Sequence, residues 1–102
     1  MGMSPEAQQQ TVGIDDEVVF KWEGVHNVYK MPSKAAYDAC DFSEAAELAS
    51  TTQSSYTYKA TEARTIYFAC EISDHCNSGQ KLTLTVTGLF FEVISLIYLL
   101  TE

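Results

Sequence analysis

Two histidines, His26 and His75, and three cysteines, Cys40, Cys70 and Cys76, are the residues of this chain best suited to hold a metal. His75 follows Cys70 by five positions, and Gln80 follows His75 by five more. One thiolate, two imidazoles and a weaker fourth donor form a set that can hold a copper ion while it changes by one electron. A trigonal His₂Cys arrangement suits both copper oxidation states, so little has to move when the electron arrives. The odd cysteine count fits this need, because two cysteines can pair and the third is left for other work. The count does not say which two pair. Each residue also has a plainer reading. His26 alone reads as a partly buried structural histidine, Cys70 as a buried apolar thiol, and Gln80 as a glutamine at a strand end. Their joint occurrence is what favours a metal.

Other chemistry fits these residues less well. Cys70 and His75 resemble the nucleophile and base of a hydrolase, but no Asn or Asp orienter is identifiable beside them. A His₂Cys set also accepts zinc, which would be substitution rather than function. A metal held by a thiolate, two imidazoles and a fourth protein donor would keep no open position for a substrate. The expectation is therefore a non-enzymatic metal protein.

Such donors converge only if rigid elements carry them, and the patterning is that of strands. Glu17–Trp22 (EVVFKW) is rich in β-branched and aromatic residues, and Lys81–Val86 (KLTLTV) alternates apolar and polar positions. Val25–Met31, Tyr56–Ala60 and Arg64–Cys70 are further strand candidates, with Pro32 stopping the first of them. Phe20, Trp22, Tyr67 and Phe68 read as core. Helix-like runs are confined to Lys34–Cys40 and to Asp41–Ala49, where Ser43 is placed to cap a short helix over residues 44–49. Short strands separated by turn signals predict an all-β sandwich or barrel with at most one or two short helices. Residues 1–10 read as a loose polar arm, residues 11–88 as the domain, and residues 89–102 as an apolar tail. The tail segment Leu89–Leu100 (LFFEVISLIYLL) is too short to span a bilayer as a helix, which takes about 20 residues. Its patterning fits a buried strand, a packed helix, a contact between copies or the start of an anchor in a longer native form.

The combined spacing resembles the phytocyanin family of cupredoxins, and within it the stellacyanin type. The resemblance rests on Gly24-Val25-His26-Asn27-Val28, on Tyr37-Asp38-Ala39-Cys40, on Tyr67-Phe68-Ala69-Cys70, on His75-Cys76 and Gly79-Gln80, and on the closing run Lys81–Val86. It covers residues 11–88. It implies a cupredoxin-like Greek-key β-sandwich that binds one copper ion (Cu2+/Cu+). His26, Cys70, His75 and Gln80 are its implied ligands, and Cys40–Cys76 its implied disulfide. It further implies one-electron transfer at a low potential, since an axial amide oxygen favours Cu(II). A copper carrier without a dedicated redox partner is the alternative. Family members carry more chain before the first histidine, opening with a strand and a short helical segment. One sheet here therefore lacks its usual first strand, and the apolar tail is placed to fill the gap, within one chain or by exchange between two.

The chain has 102 residues and a formal net charge of −8, from 14 acidic and 6 basic residues. That balance disfavours nucleic acid and favours a cationic partner. The expected partner is a small redox protein or a redox-active small molecule, with a homodimer through the tail as a further possibility. A disulfide implies an oxidising, extracytoplasmic setting, although residues 1–10 lack the apolar stretch of a secretory signal. Asn27, next to His26, is placed either to hydrogen-bond across the ligand loops or to stabilise its own turn. Glu71, Asp74, Asp41 and Glu44 read as solvated loop residues, or as an acidic patch near the metal end.

Overall fold

The computed structural model describes residues 8–88, the backbone of 95–100 and the side chain of Leu100. In chain order the elements are β1 (Gln9–Gly13), β2 (Glu17–Trp22), β3 (Val28–Met31), α1 (Lys34–Ala39), β4 (Ala46–Ala49), β5 (Ser55–Lys59), β6 (Arg64–Ala69), β7 (Lys81–Thr87) and β8 (Ser95–Leu100). Two sheets form, one of order β1-β7-β6-β3-β4 and one of order β5-β2-β8. The all-β expectation holds, with α1 the one helix among the described residues.

Side-chain alternation along a strand puts every second residue on one face. In β7 that face is Leu82, Leu84 and Val86; in β2 it is Val18, Phe20 and Trp22, and all six are buried. These two faces meet in a single core cluster with Val12, Val28, Ile66 and Phe68. Phe20 and Phe68 touch across it, with ring centroids 5.0 Å apart, and Tyr58 meets Phe68 edge-on at 5.2 Å. Burying Phe20 and Phe68 contributes about 1.5–3 kcal/mol each. The core thus locks one sheet to the other just below the end where β2, β3, β6 and β7 present their loops.

The two parallel pairings are at sheet edges. β1 runs parallel to β7, from Gln9↔Thr83 to Gly13↔Thr87. β8 runs parallel to β2, from Glu17↔Ser95 to Trp22↔Leu100. The last strand thus covers the side of β2 opposite β5. The rest of the tail, residues 89–94 and 101–102, lies outside the described residues, as do residues 1–7 of the expected arm.

Three local expectations are corrected. Residues 44–49 are not a Ser43-capped helix: Ala46–Ala49 is β4. Its alanines, glutamate and leucine favour a helix, but propensity is a weak prior. Pairing with β3 and burial of Ala49 override it. Ser43 lies instead in a turn, donating its N–H to Asp41 Oδ1 at 3.0 Å. Second, strand pairing begins at Gln9, inside the stretch read as a loose arm, because β7 offers it a ladder. Third, the strand expected from Val25 starts only at Val28, which leaves His26 and Asn27 in the loop after Gly24, a residue at φ 79°.

Candidate metal centre

Two loops deliver the donors. His26 stands on the connection between β2 and β3. Cys70 directly follows β6, and His75 and Gln80 lie between it and β7. The β6–β7 ladder ends at Ala69↔Lys81, and the next rung is closed by Cys70 N–H donating to the Gln80 carbonyl at 3.0 Å. Within the enclosed loop, His75 N–H reaches the Ile72 carbonyl at 3.0 Å, and Gln80 N–H reaches the His75 carbonyl at 2.9 Å. The chain turns back at Gly79, whose φ of 93° a side chain rarely tolerates. This folding of the loop lays His75 against Cys70.

The Cys70 sulfur lies 3.4 Å from Nδ1 of His26 and 3.4 Å from Nδ1 of His75. The two imidazole rings are 4.6 Å apart, and the three donor groups lie within 4.8 Å of one another. Metal bonds of ~2.1 Å to nitrogen and ~2.3 Å to sulfur, at a wide angle, separate such donors by about 3.6 Å. The observed spacing is close to that, so the three side chains fit one first-row metal ion. Cys70 and His26 are buried, while His75 is half-buried. One soft sulfur and two imidazoles form the donor set that suits copper.

Gln80 is buried at 1% exposure. Gln80 lines, with Cys70 and Asn27, an apolar cavity of about 10 Å³ on the inner side of the site.

Two further links fix the ligand loops. Asn27 Oδ1 accepts the Glu71 N–H at 2.8 Å, and Asn27 Nδ2 donates to Glu71 Oε1 at 3.3 Å. Of the two readings of Asn27, the cross-loop bond is the observed one. Sequence reasoning missed Glu71 in this role; its position directly after Cys70 was the available signal. The second link is the Cys40–Cys76 disulfide, with Cα atoms 6.0 Å apart. Cys40 caps α1 in the left-handed conformation, with its N–H turned back to the helix carbonyls. Ser33 caps the other end, its Oγ accepting from Ala36 N–H at 3.1 Å. The helix is thus well bounded, and through it the disulfide anchors the residue next to His75. Cys70 lies outside the disulfide and keeps its thiol.

The rest of the expected set is more dispersed. Glu71 and Asp74 are exposed within the ligand loop, whereas Asp41 and Glu44 are exposed on the connection between α1 and β4. Tyr67 is half-buried against Tyr37, with ring centroids 5.3 Å apart, in a second cluster under α1.

Residues 4–80 match the model of the plastocyanin-like domain. The chain belongs to the plastocyanin-like domain family. Cucumber peeling cupredoxin, cucumber stellacyanin and spinach plantacyanin, which it resembles, are phytocyanins, in agreement with the resemblance carried by the sequence motifs. It is 32% identical over 83 residues to cucumber peeling cupredoxin of Cucumis sativus, a match covering 80% of this chain and 60% of that protein. Among solved structures, cucumber stellacyanin with Cu2+ aligns at a TM-score of 0.63 and 30% identity, over 74% of this chain and 68% of that one. Spinach plantacyanin aligns at 0.61 and 26% identity, over 76% and 81%. This plastocyanin-like chain therefore has the cupredoxin fold, and its His26–Cys70–His75 cluster brings together donors that could hold one metal ion.

Proposed function

We propose that this protein is an electron carrier that holds one copper ion through His26 Nδ1, His75 Nδ1, the Cys70 sulfur and the side-chain oxygen of Gln80. The observation that carries this reading is the placement of one buried cysteine sulfur 3.4 Å from both imidazole Nδ1 atoms. Bound there, copper supplies a one-electron Cu(II)/Cu(I) couple. The protein's part is to hold the donors still. The β6–β7 rung fixes Cys70, the Asn27–Glu71 pair fixes the two loops against each other, and the disulfide fixes the far side of His75. Because the half-buried His75 is the most exposed of the three donors, its ring is the route by which an electron reaches a docked partner.

Gln80 as the fourth ligand is supported by its burial and by the cavity it shares with Cys70. An amide oxygen is a harder donor than a thioether and stabilises Cu(II), which sets a low reduction potential for the class. With four protein donors the metal has no open position, so the role is that of a carrier and not an enzyme. The net charge of −8 favours a cationic redox partner. The disulfide suits an extracytoplasmic setting.

The deciding test is the absorption spectrum after addition of Cu(II) to the protein. The expected result is an intense thiolate-to-copper band at about 600 nm at one equivalent of metal, lost in Cys70→Ser. Copper that binds without colour would overturn the assignment of Cys70.

A further inference from the structure

The inner wall of the metal site is shared with the last strand. The cavity behind Cys70 is lined on its site side by Cys70, Gln80 and Asn27, and on its core side by Phe20, Phe68 and Leu100. At about 10 Å³ it has no more room than one water needs. Of these six residues, five come from β2, β6 or the loops at this end. Leu100 comes from elsewhere in the chain: it ends β8, opposite Trp22 in the parallel pairing with β2, and it is 3% exposed within the main core cluster.

We propose that Leu100 seals the inner wall of the metal site against water, so that β8 is a working part of the site as well as the cover of β2. The physical case is local. The surface exposed in the cavity is apolar, but Gln80 and Asn27 belong to its lining, so an enlarged space would bring water within reach of their polar groups. The apolar side of the cavity is what keeps that volume small. Trimming Leu100 to alanine leaves a space beside Cys70 that the neighbours refill only in part. Water in that space would hydrate the sulfur, and the apolar shell around a metal site governs solvent access and potential.

The inference rests on Cys70 being the site's sulfur donor, and its test needs no metal. Metal-free protein is treated with a small thiol reagent under native conditions, and the rate of Cys70 modification is followed by mass. Cys70 is 1% exposed, and the other two cysteines are held in the disulfide, so a single slow addition is expected for the parent chain. Leu100→Ala should speed it by at least about tenfold. Leu100→Met, which restores the volume, should return it close to the parent rate. Val12→Ala is the control, since Val12 is equally buried in the same core and does not line the cavity. Acceleration by Leu100→Ala well beyond that of Val12→Ala supports the proposal. Equal acceleration by both, or none by either, overturns it and leaves Leu100 as ordinary core. Should Leu100→Ala not fold, Leu100→Val removes one methylene and is held to the same comparison. A colourless copper complex in a protein whose Cys70 is still shielded by Leu100 would sink the copper reading and leave Leu100 as the shield of a buried thiol that is no metal donor.

Discussion

Asn27 and Glu71 hold each other twice, through the Glu71 N–H at 2.8 Å and the Glu71 carboxylate at 3.3 Å. The pair is 44 residues apart in sequence and joins the residue after His26 to the residue after Cys70. It bridges the two loops that carry the buried donors.

Removing that bridge should loosen the site more than the fold. Asn27→Ala leaves the Glu71 N–H without its acceptor and should destabilise the metal-free protein by about 1–3 kcal/mol in urea unfolding. Metal affinity should fall by about 10–100-fold, as for other residues that orient ligands from behind. Glu71→Gln keeps the backbone bond and should cost much less on both counts. Similar losses from the two substitutions would show that the carboxylate, and not the backbone N–H, carries the link.

The axial position makes a prediction of direction. Gln80→Met exchanges an amide oxygen for a thioether and should raise the reduction potential of the copper-loaded protein in cyclic voltammetry. An unchanged potential would remove Gln80 from the ligand set while leaving His26, Cys70 and His75 in place.

The disulfide closes a loop of 36 residues. Its loss in the double variant Cys40→Ser, Cys76→Ser should lower stability by ~2–4 kcal/mol. Because Cys76 adjoins His75, copper should also dissociate faster. Urea unfolding of the metal-free form and competition with a chelator measure the two effects separately. Loss of stability with no change in metal release would confine the disulfide to a folding role.

Tyr37 gives a pH dependence. Burial is the main cause that raises its hydroxyl pKa above the ordinary tyrosine value. The folded state therefore favours the neutral phenol. That contribution is complete below a pH of about 10 and is lost as pH rises through the raised value. Tyr37→Phe should flatten the fall in stability above that pH without abolishing it, since Tyr29, Tyr56 and Tyr58 are raised by burial too. Urea unfolding at a series of alkaline pH values measures the slope. An unchanged slope would mean that Tyr37 titrates equally in both states.

The last strand is open to a direct test. A chain ended at residue 88 leaves the β8 side of β2 bare, and an unpaired edge invites association. Sedimentation and thermal unfolding should show lower stability and a tendency to aggregate. A truncated chain that stays monomeric and equally stable would make β8 dispensable.

Much of the site was legible in the chain itself. Cys70, His75 and Gln80 lie within eleven residues, and one loop of that length can bring them together whatever the rest of the fold does. The alternation in Lys81–Val86 announced β7 because one face of that strand is fully buried, and burial on one face is what writes a period of two. The segment Ala46–Ala49 was misread for the opposite reason: its residues are good helix formers, and only the neighbouring β3 makes it a strand.

By itself, then, the sequence determined the chemistry of the donor set, because residue types and short spacings are local properties. Tertiary structure decided the rest. It alone put His26 beside Cys70 across 44 positions, turned Asn27 onto Glu71, and carried Leu100 to the inner wall of the site. Each is a contact between distant segments, set by how two sheets share a core, and no local pattern encodes which far residue arrives.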